Sequence, residues 1–133
     1  MSFHSINPAE LGEHRGWNNG MLAPAGGRIL FVAGQTARDE TGRIAVEGFV
    51  EQFTRALERV LTVVRAAGGA AQDIGRLTLY VTDLPAYLSS RKELGEAYRA
   101  LMGHHYPAMA LVEVNGLADE NALLEIEATA VLP

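Results

Sequence analysis

Arg28-Ile29-Leu30-Phe31-Val32-Ala33-Gly34-Gln35 is the stretch that decides the fold. In an extended chain Ile29, Phe31 and Ala33 point to one side, and Leu30, Val32 and Gly34 to the other. Both sides are apolar, the pattern of a central strand covered from above and below. Just upstream, Pro24-Ala25-Gly26-Gly27 forms a turn cluster after the short mixed segment Trp17 to Ala23, so a β-hairpin is predicted there. Residues 1–13 are polar, contain Pro8 and read as a loosely ordered N-terminal arm.

Downstream, Asp39-Glu40-Thr41-Gly42 carries turn chemistry. Phe49, Phe53, Ala56, Leu57, Val60, Leu61, Val64 and Ala67 then recur at three- and four-residue steps, the strongest periodic signal in the chain. This predicts an amphipathic helix stopped by Gly68-Gly69, where a residue with positive φ is wanted. Leu77, Leu79 and Val81 alternate with Thr78, Tyr80 and Thr82 as a strand. Asp83-Leu84-Pro85 starts a second helix, with Asp as N-cap and Pro in the first turn. Its stripe runs through Leu88, Leu94, Tyr98, Leu101 and Met102 to Gly103. Met109 to Val114 and Leu123 to Val131 complete the order β-β-α-β-α-β-β.

The expected architecture is therefore a single α+β domain over residues 1–133, a two-layer sandwich of a mixed or antiparallel sheet with two helices on one face. Two helices cover only one face. A bare second face carrying Ile29 and Phe31 would expose too much hydrocarbon, which predicts a homo-oligomer that buries it.

Composition narrows the function classes. The 133 residues include no cysteine, which excludes disulfide scaffolds, thiolate metal sites and thiol nucleophiles. A net charge of −5, scattered arginines and 7% aromatics give neither a phosphate-tracking surface nor base-stacking platforms, so a nucleic-acid partner is not expected. No apolar run approaches the roughly 20 residues that span a bilayer. The N-terminal residues lack the basic and apolar regions of a signal peptide, and the expected location is cytoplasmic.

Among chemically capable side chains, Glu125 and Glu127 stand out. They share one face of the last strand, about 6.5–7 Å apart, opposite Leu124, Ile126, Ala128 and Ala130. Glu113 joins them if its strand pairs with the last one. Carboxylates pointing into a subunit boundary either ion-pair with arginine or perform acid–base work on a bound molecule or water. The spacing also matches the carboxyl gap of inverting glycosidases, but any two alternate strand residues give it. Adjacent His104-His105 point apart and have no spaced third ligand, so no metal site and no cofactor are expected. Gly26-Gly27 and Gly68-Gly69 match no phosphate-binding fingerprint, and Ser89-Ser90 is a surface pair at a helix start.

Three segments together resemble the Rid (YjgF-type) family, also labelled enamine/imine deaminase or L-PSP endoribonuclease. They are Ala33-Gly34-Gln35, Tyr106-Pro107-Ala108-Met109-Ala110-Leu111-Val112-Glu113-Val114, and Leu124-Glu125-Ile126-Glu127-Ala128. The resemblance extends from about Trp17 to Val131. It implies a chorismate-mutase-like homotrimer whose sheets line an inner barrel, with ligand clefts between subunits. The implied activity is hydrolysis of 2-imino or 2-enamino acids to 2-keto acids and ammonia. By the same resemblance Glu125 handles the hydrolytic water, Ala33 and Gly34 bring backbone to the ligand, and Leu111 walls the cleft.

Two substitutions set this chain apart from the deaminating branch. Met109 stands where that branch has the arginine that forks onto the substrate carboxylate, and Trp17 stands where tyrosine is usual. Loss of such a charge-assisted contact costs about 2–5 kcal/mol, so standard 2-imino acid deamination is expected to be weak or absent. Arg91 occupies a second-helix position where asparagine is common, and either supplies the missing cation or is a solvated arginine paired with Glu93 or Glu96. The leading expectation is a trimer that binds a small carbonyl-, imine- or enamine-type metabolite. Glu125 then acts within a pocket of Trp17, Ala33, Gly34, Arg91, Met109 and Leu111. A non-catalytic ligand-binding or regulatory trimer is the alternative, and ribonuclease activity ranks last.

Overall fold

The computed structural model describes residues 3–133. Two short strands, β1 (His4–Ile6) and β2 (Gly20–Leu22), precede the long β3 (Arg28–Gln35) and the helix α1 (Phe49–Ala66). Then come β4 (Ile74–Val81), helices α2 (Leu84–Ser89) and α3 (Arg91–Met102), β5 (Ala108–Glu113) and β6 (Leu124–Leu132). The main sheet runs β3-β6-β4-β5, with β6 antiparallel to both neighbours and β4 parallel to β5. Helices pack on one face of it, giving the mixed α+β two-layer sandwich that the hydrophobic pattern predicts.

The predicted stripes make the core. Phe53, Ala56, Leu57, Val60, Leu61 and Val64 of α1 are buried against Leu77, Leu79 and Val81 of β4 and Leu124, Ile126, Ala128 and Ala130 of β6. The helix stops where Gly68 takes φ +91°, with Gly68 N donating to the Arg65 carbonyl and Gly69 N to that of Val64, each at 2.9 Å. Asp39 Oδ1 accepts from Thr41 N and Arg43 N, closing the predicted polar turn. Asp83 caps α2 by accepting from Ala86 N at 3.0 Å.

Three local expectations change. The segment before the turn cluster does not form a hairpin with β3; β2 pairs with β1, in a separate two-stranded sheet. Asn7 braces the end of this pairing: its Oδ1 accepts from Asn19 N and its Nδ2 donates to Asn18 Oδ1, both at 2.8 Å. His4–Ile6 of the N-terminal arm form β1, while Met1 and Ser2 of that arm lie outside the described residues. The second helix is two helices, because Ser90 at φ −107°, ψ 10° interrupts it. Glu113 does not join the β6 carboxylates: β5 pairs with β4, and Glu113 Oε2 instead accepts from Leu84 N at 2.8 Å, supplying α2 with a second cap.

On the face away from the helices, Phe31 is 79% exposed, Ile29 63% and Val112 44%. Among the described residues, β3 and β5 also leave the outer edges of the main sheet unpaired. Open edges and exposed aromatic surface are the features that isolated folded chains avoid.

Candidate functional site

The sequence-predicted site residues fall into two groups within one chain. Trp17, Arg91, Met109 and Leu111 line a single cavity of about 550 Å³ on the helix side of the sheet. Met109 and Leu111 register with Leu77 and Leu79 across the parallel ladder, so their side chains face the helices. Aromatic groups build part of the remaining wall. Tyr98 and Tyr106 stack with centroids 5.4 Å apart and planes 10° from parallel, and the Tyr98 hydroxyl donates to the His105 carbonyl at 2.6 Å. Burial pushes the Tyr98 phenol well above its usual value, with Tyr106 adding to the effect, so it remains a donor.

Trp17 is placed over this cavity by its loop. Asn18 Nδ2 donates to the Tyr106 carbonyl at 2.6 Å, and the Trp17 carbonyl meets the His14 ring at 2.9 Å. Asn7 then ties Asn18 to the N-terminal strand. Asn7 and Asn18 were not among the predicted site residues. Their partners lie 11 and 88 positions away, beyond any local periodicity.

The second group is Gly34 and Glu125, with Ala33 beside them. A register shift between Val32 and Gln35 brings Gly34 over the Glu125 side chain. A Cβ at position 34 would fall 2.8 Å from Glu125 Cδ, so only glycine leaves the carboxyl its present place. Glu127 accepts a hydrogen bond from the Tyr80 hydroxyl at 2.8 Å. That bond raises the Tyr80 pKa, with desolvation and the Glu127 charge contributing further. Glu127 is thus engaged within its own sheet, and no side chain among the described residues makes a hydrogen bond to Glu125.

One copy does not bring the two groups together. Met109 registers with Leu77, whereas Glu125 registers with Tyr80, three positions along β4 and on the opposite face. Two strand spacings also separate β5 from β6, about 10 Å. Arg91 forms no ion pair with Glu93 or Glu96 among the described residues and faces the cavity unpaired. His105 is engaged, its Nε2 lying 2.7 Å from the Ile74 carbonyl.

Known proteins share this arrangement of elements. The Endoribonuclease L-PSP family matches residues 13–132. A RutC family protein of Pyrococcus abyssi is 34% identical over 105 residues, covering 78% of this chain and 79% of its own. The 2-iminobutanoate/2-iminopropanoate deaminase of Salmonella typhimurium is 34% identical over 109 residues, covering 79% and 80%. The crystal structure of YyfB, a Rid-family protein of Yersinia pestis, superposes with a TM-score of 0.83 at 29% identity over 99% of this chain and 100% of that one. A match from residue 13 to residue 132, upheld by both sequence and fold, makes this chain a member of the Endoribonuclease L-PSP (Rid) family.

Proposed function

We propose that copies of this chain associate as a homotrimer through the open sheet face, and that each site joins the Met109 cavity of one copy to Glu125 of the next. The observation that carries this is the separation of the two groups onto opposite faces of one sheet. Neither half is complete alone. Exposed Ile29 and Phe31 contribute apolar surface to such an association.

The chemistry proposed is hydrolysis of an imine- or enamine-type carbon–nitrogen bond. Water adds to the C=N carbon while the Glu125 carboxylate takes one of its protons and passes it to nitrogen. Collapse of the resulting carbinolamine forms C=O and releases ammonia. Gly34 keeps the carboxyl in place, and Trp17, Met109 and Leu111 line the cavity that receives the rest of the molecule. The deaminase among the relatives supports this reaction class. Met109 offers no fork for a small substrate's carboxylate, so turnover of three- and four-carbon imino acids is slow.

Coupled assays, with imines generated in place by an amino-acid oxidase, test the proposal. Expected is accelerated keto-acid release that Glu125→Gln abolishes, from a particle heavier than one protomer. A lone protomer at micromolar concentration, or equal rates in Glu125→Gln, overturns it. Met109 also favours a second reading, a ligand-binding trimer without turnover, which predicts saturable binding and no acceleration for any imine.

A further inference from the structure

Helix α3 carries a feature that this reading does not use. Arg91, Gly95 and Arg99 stand at successive four-residue steps, so they form one line along the helix, and all three border the cavity. Gly95 is the gap in that line. A Cβ there would lie 3.1 Å from Arg99 Nη1, so the Arg99 guanidinium folds back one turn across the bare glycine, in the direction long helical side chains lean. Like Arg91, Arg99 has no ion-pair partner among the described residues. Beneath this cationic edge the cavity is apolar, walled by Leu94, Tyr98, Tyr106, Met109 and Leu111.

A guanidinium without a carboxylate partner, beside an apolar hollow, is matched by a ligand with an anionic head and a hydrocarbon body. We propose that Arg91 and Arg99, set either side of Gly95, form a carboxylate-binding ledge, and that the chain takes carboxylic acids with bulky aromatic or branched bodies. The head lies on α3 at the rim, displaced from Met109, and the body fills the space against Met109 and Tyr98. About 550 Å³ falls within the roughly 300–1,000 Å³ of pockets for sizeable organic ligands. The ledge rests on the reading of this cavity as half of the ligand site, and it names the substrate class of that site.

Calorimetric titration with phenylpyruvate, which has no carbon–nitrogen bond to hydrolyse, tests the ledge apart from the chemistry. The comparison ligands are pyruvate, which lacks the ring, and phenylacetone, which lacks the carboxylate. Phenylpyruvate is expected to bind at least tenfold more tightly than either. Arg91→Gln and Arg99→Gln are each expected to weaken it about tenfold while leaving phenylacetone unmoved. Gly95→Ala is expected to raise the Tm, because alanine favours the helix, yet to weaken phenylpyruvate by displacing Arg99. That split would not arise from a merely structural glycine. Equal affinity for phenylpyruvate and pyruvate, or an Arg91→Gln/Arg99→Gln double variant that binds phenylpyruvate like the wild type, overturns the ledge. Imine hydrolysis is judged separately by turnover in Glu125→Gln, so either idea can fail alone.

Discussion

The Glu125 carboxyl fills the space where a side chain at position 34 would begin. A Cβ on Gly34 would meet Glu125 Cδ at 2.8 Å and Oε2 at 2.9 Å. Gly34→Ala therefore moves the carboxyl and little else, since the clash is with the far end of a flexible side chain. Under the proposed chemistry, turnover falls about 100-fold, the scale for ångström misplacement of a reacting group. The Tm shifts by only a few degrees. Coupled keto-acid release and scanning calorimetry on the same preparation check both, and unchanged turnover would remove Glu125 from the mechanism.

Met109→Arg places a guanidinium at the edge of the apolar cavity, facing the same side as Leu77. A bidentate contact to a small carboxylate then becomes available. Release of keto acid from three- and four-carbon imino acids is expected to rise at least tenfold over the wild type. No gain would mean that the remaining groups cannot support that reaction.

Phe31→Glu sets a charge on the most exposed aromatic of the open face. Sedimentation is expected to move toward a single protomer while far-ultraviolet dichroism stays unchanged, with turnover lost in parallel. An unaltered sedimentation coefficient would place the association surface elsewhere.

Gln52 is a buried polar side chain on α1 with every group engaged. Its Nε2 donates to the carbonyls of Val46 at 2.9 Å and Asn121 at 3.1 Å, and its Oε1 accepts from Leu123 N at 2.8 Å. Gln52→Leu leaves three backbone groups without partners and is expected to cost about 3 kcal/mol or more, measured by urea unfolding.

Tyr98→Phe removes the hydrogen bond to the His105 carbonyl, worth about 1 kcal/mol at neutral pH. The variant also changes the alkaline limb of stability. Burial raises the folded pKa of Tyr98 above the unfolded value near 10. Its contribution is thus complete below pH 10 and disappears as pH climbs toward the folded pKa. Wild-type stability is expected to fall more steeply above pH 10 than that of the variant.

Local periodicity carried most of the fold. The α1 stripe, the β6 alternation, the Gly68 stop and the Asp83 cap all depend on neighbours within a few positions. The parallel pairing of β4 with β5 and the order β3-β6-β4-β5 depend on partners tens of residues away. The Asn7 contacts beside the β1–β2 pair, 12 positions apart, and the Glu113 bond to Leu84 N, 29 apart, also lie beyond local periodicity. The site shows the same limit. Residue resemblance singled out Trp17, Arg91, Met109 and Leu111, which share a cavity, and Gly34 and Glu125, which touch. It did not reveal that the two sets lie on opposite faces. Arg99 escaped notice because an arginine on a helix surface looks like any solvated charge until the gap at Gly95 is seen beneath it.

The division of Glu125 from Met109 between two faces has a genetic corollary. In the closed ring of head-to-tail contacts proposed above, one copy damaged at Glu125 and another whose Met109 cavity is filled by a bulky side chain at Leu111 are each barren alone, yet each supplies what its neighbour lacks. Coexpressed in equal amounts, such alleles rebuild about a quarter of the junctions, and partial rescue in the mixture becomes the signature of shared ownership.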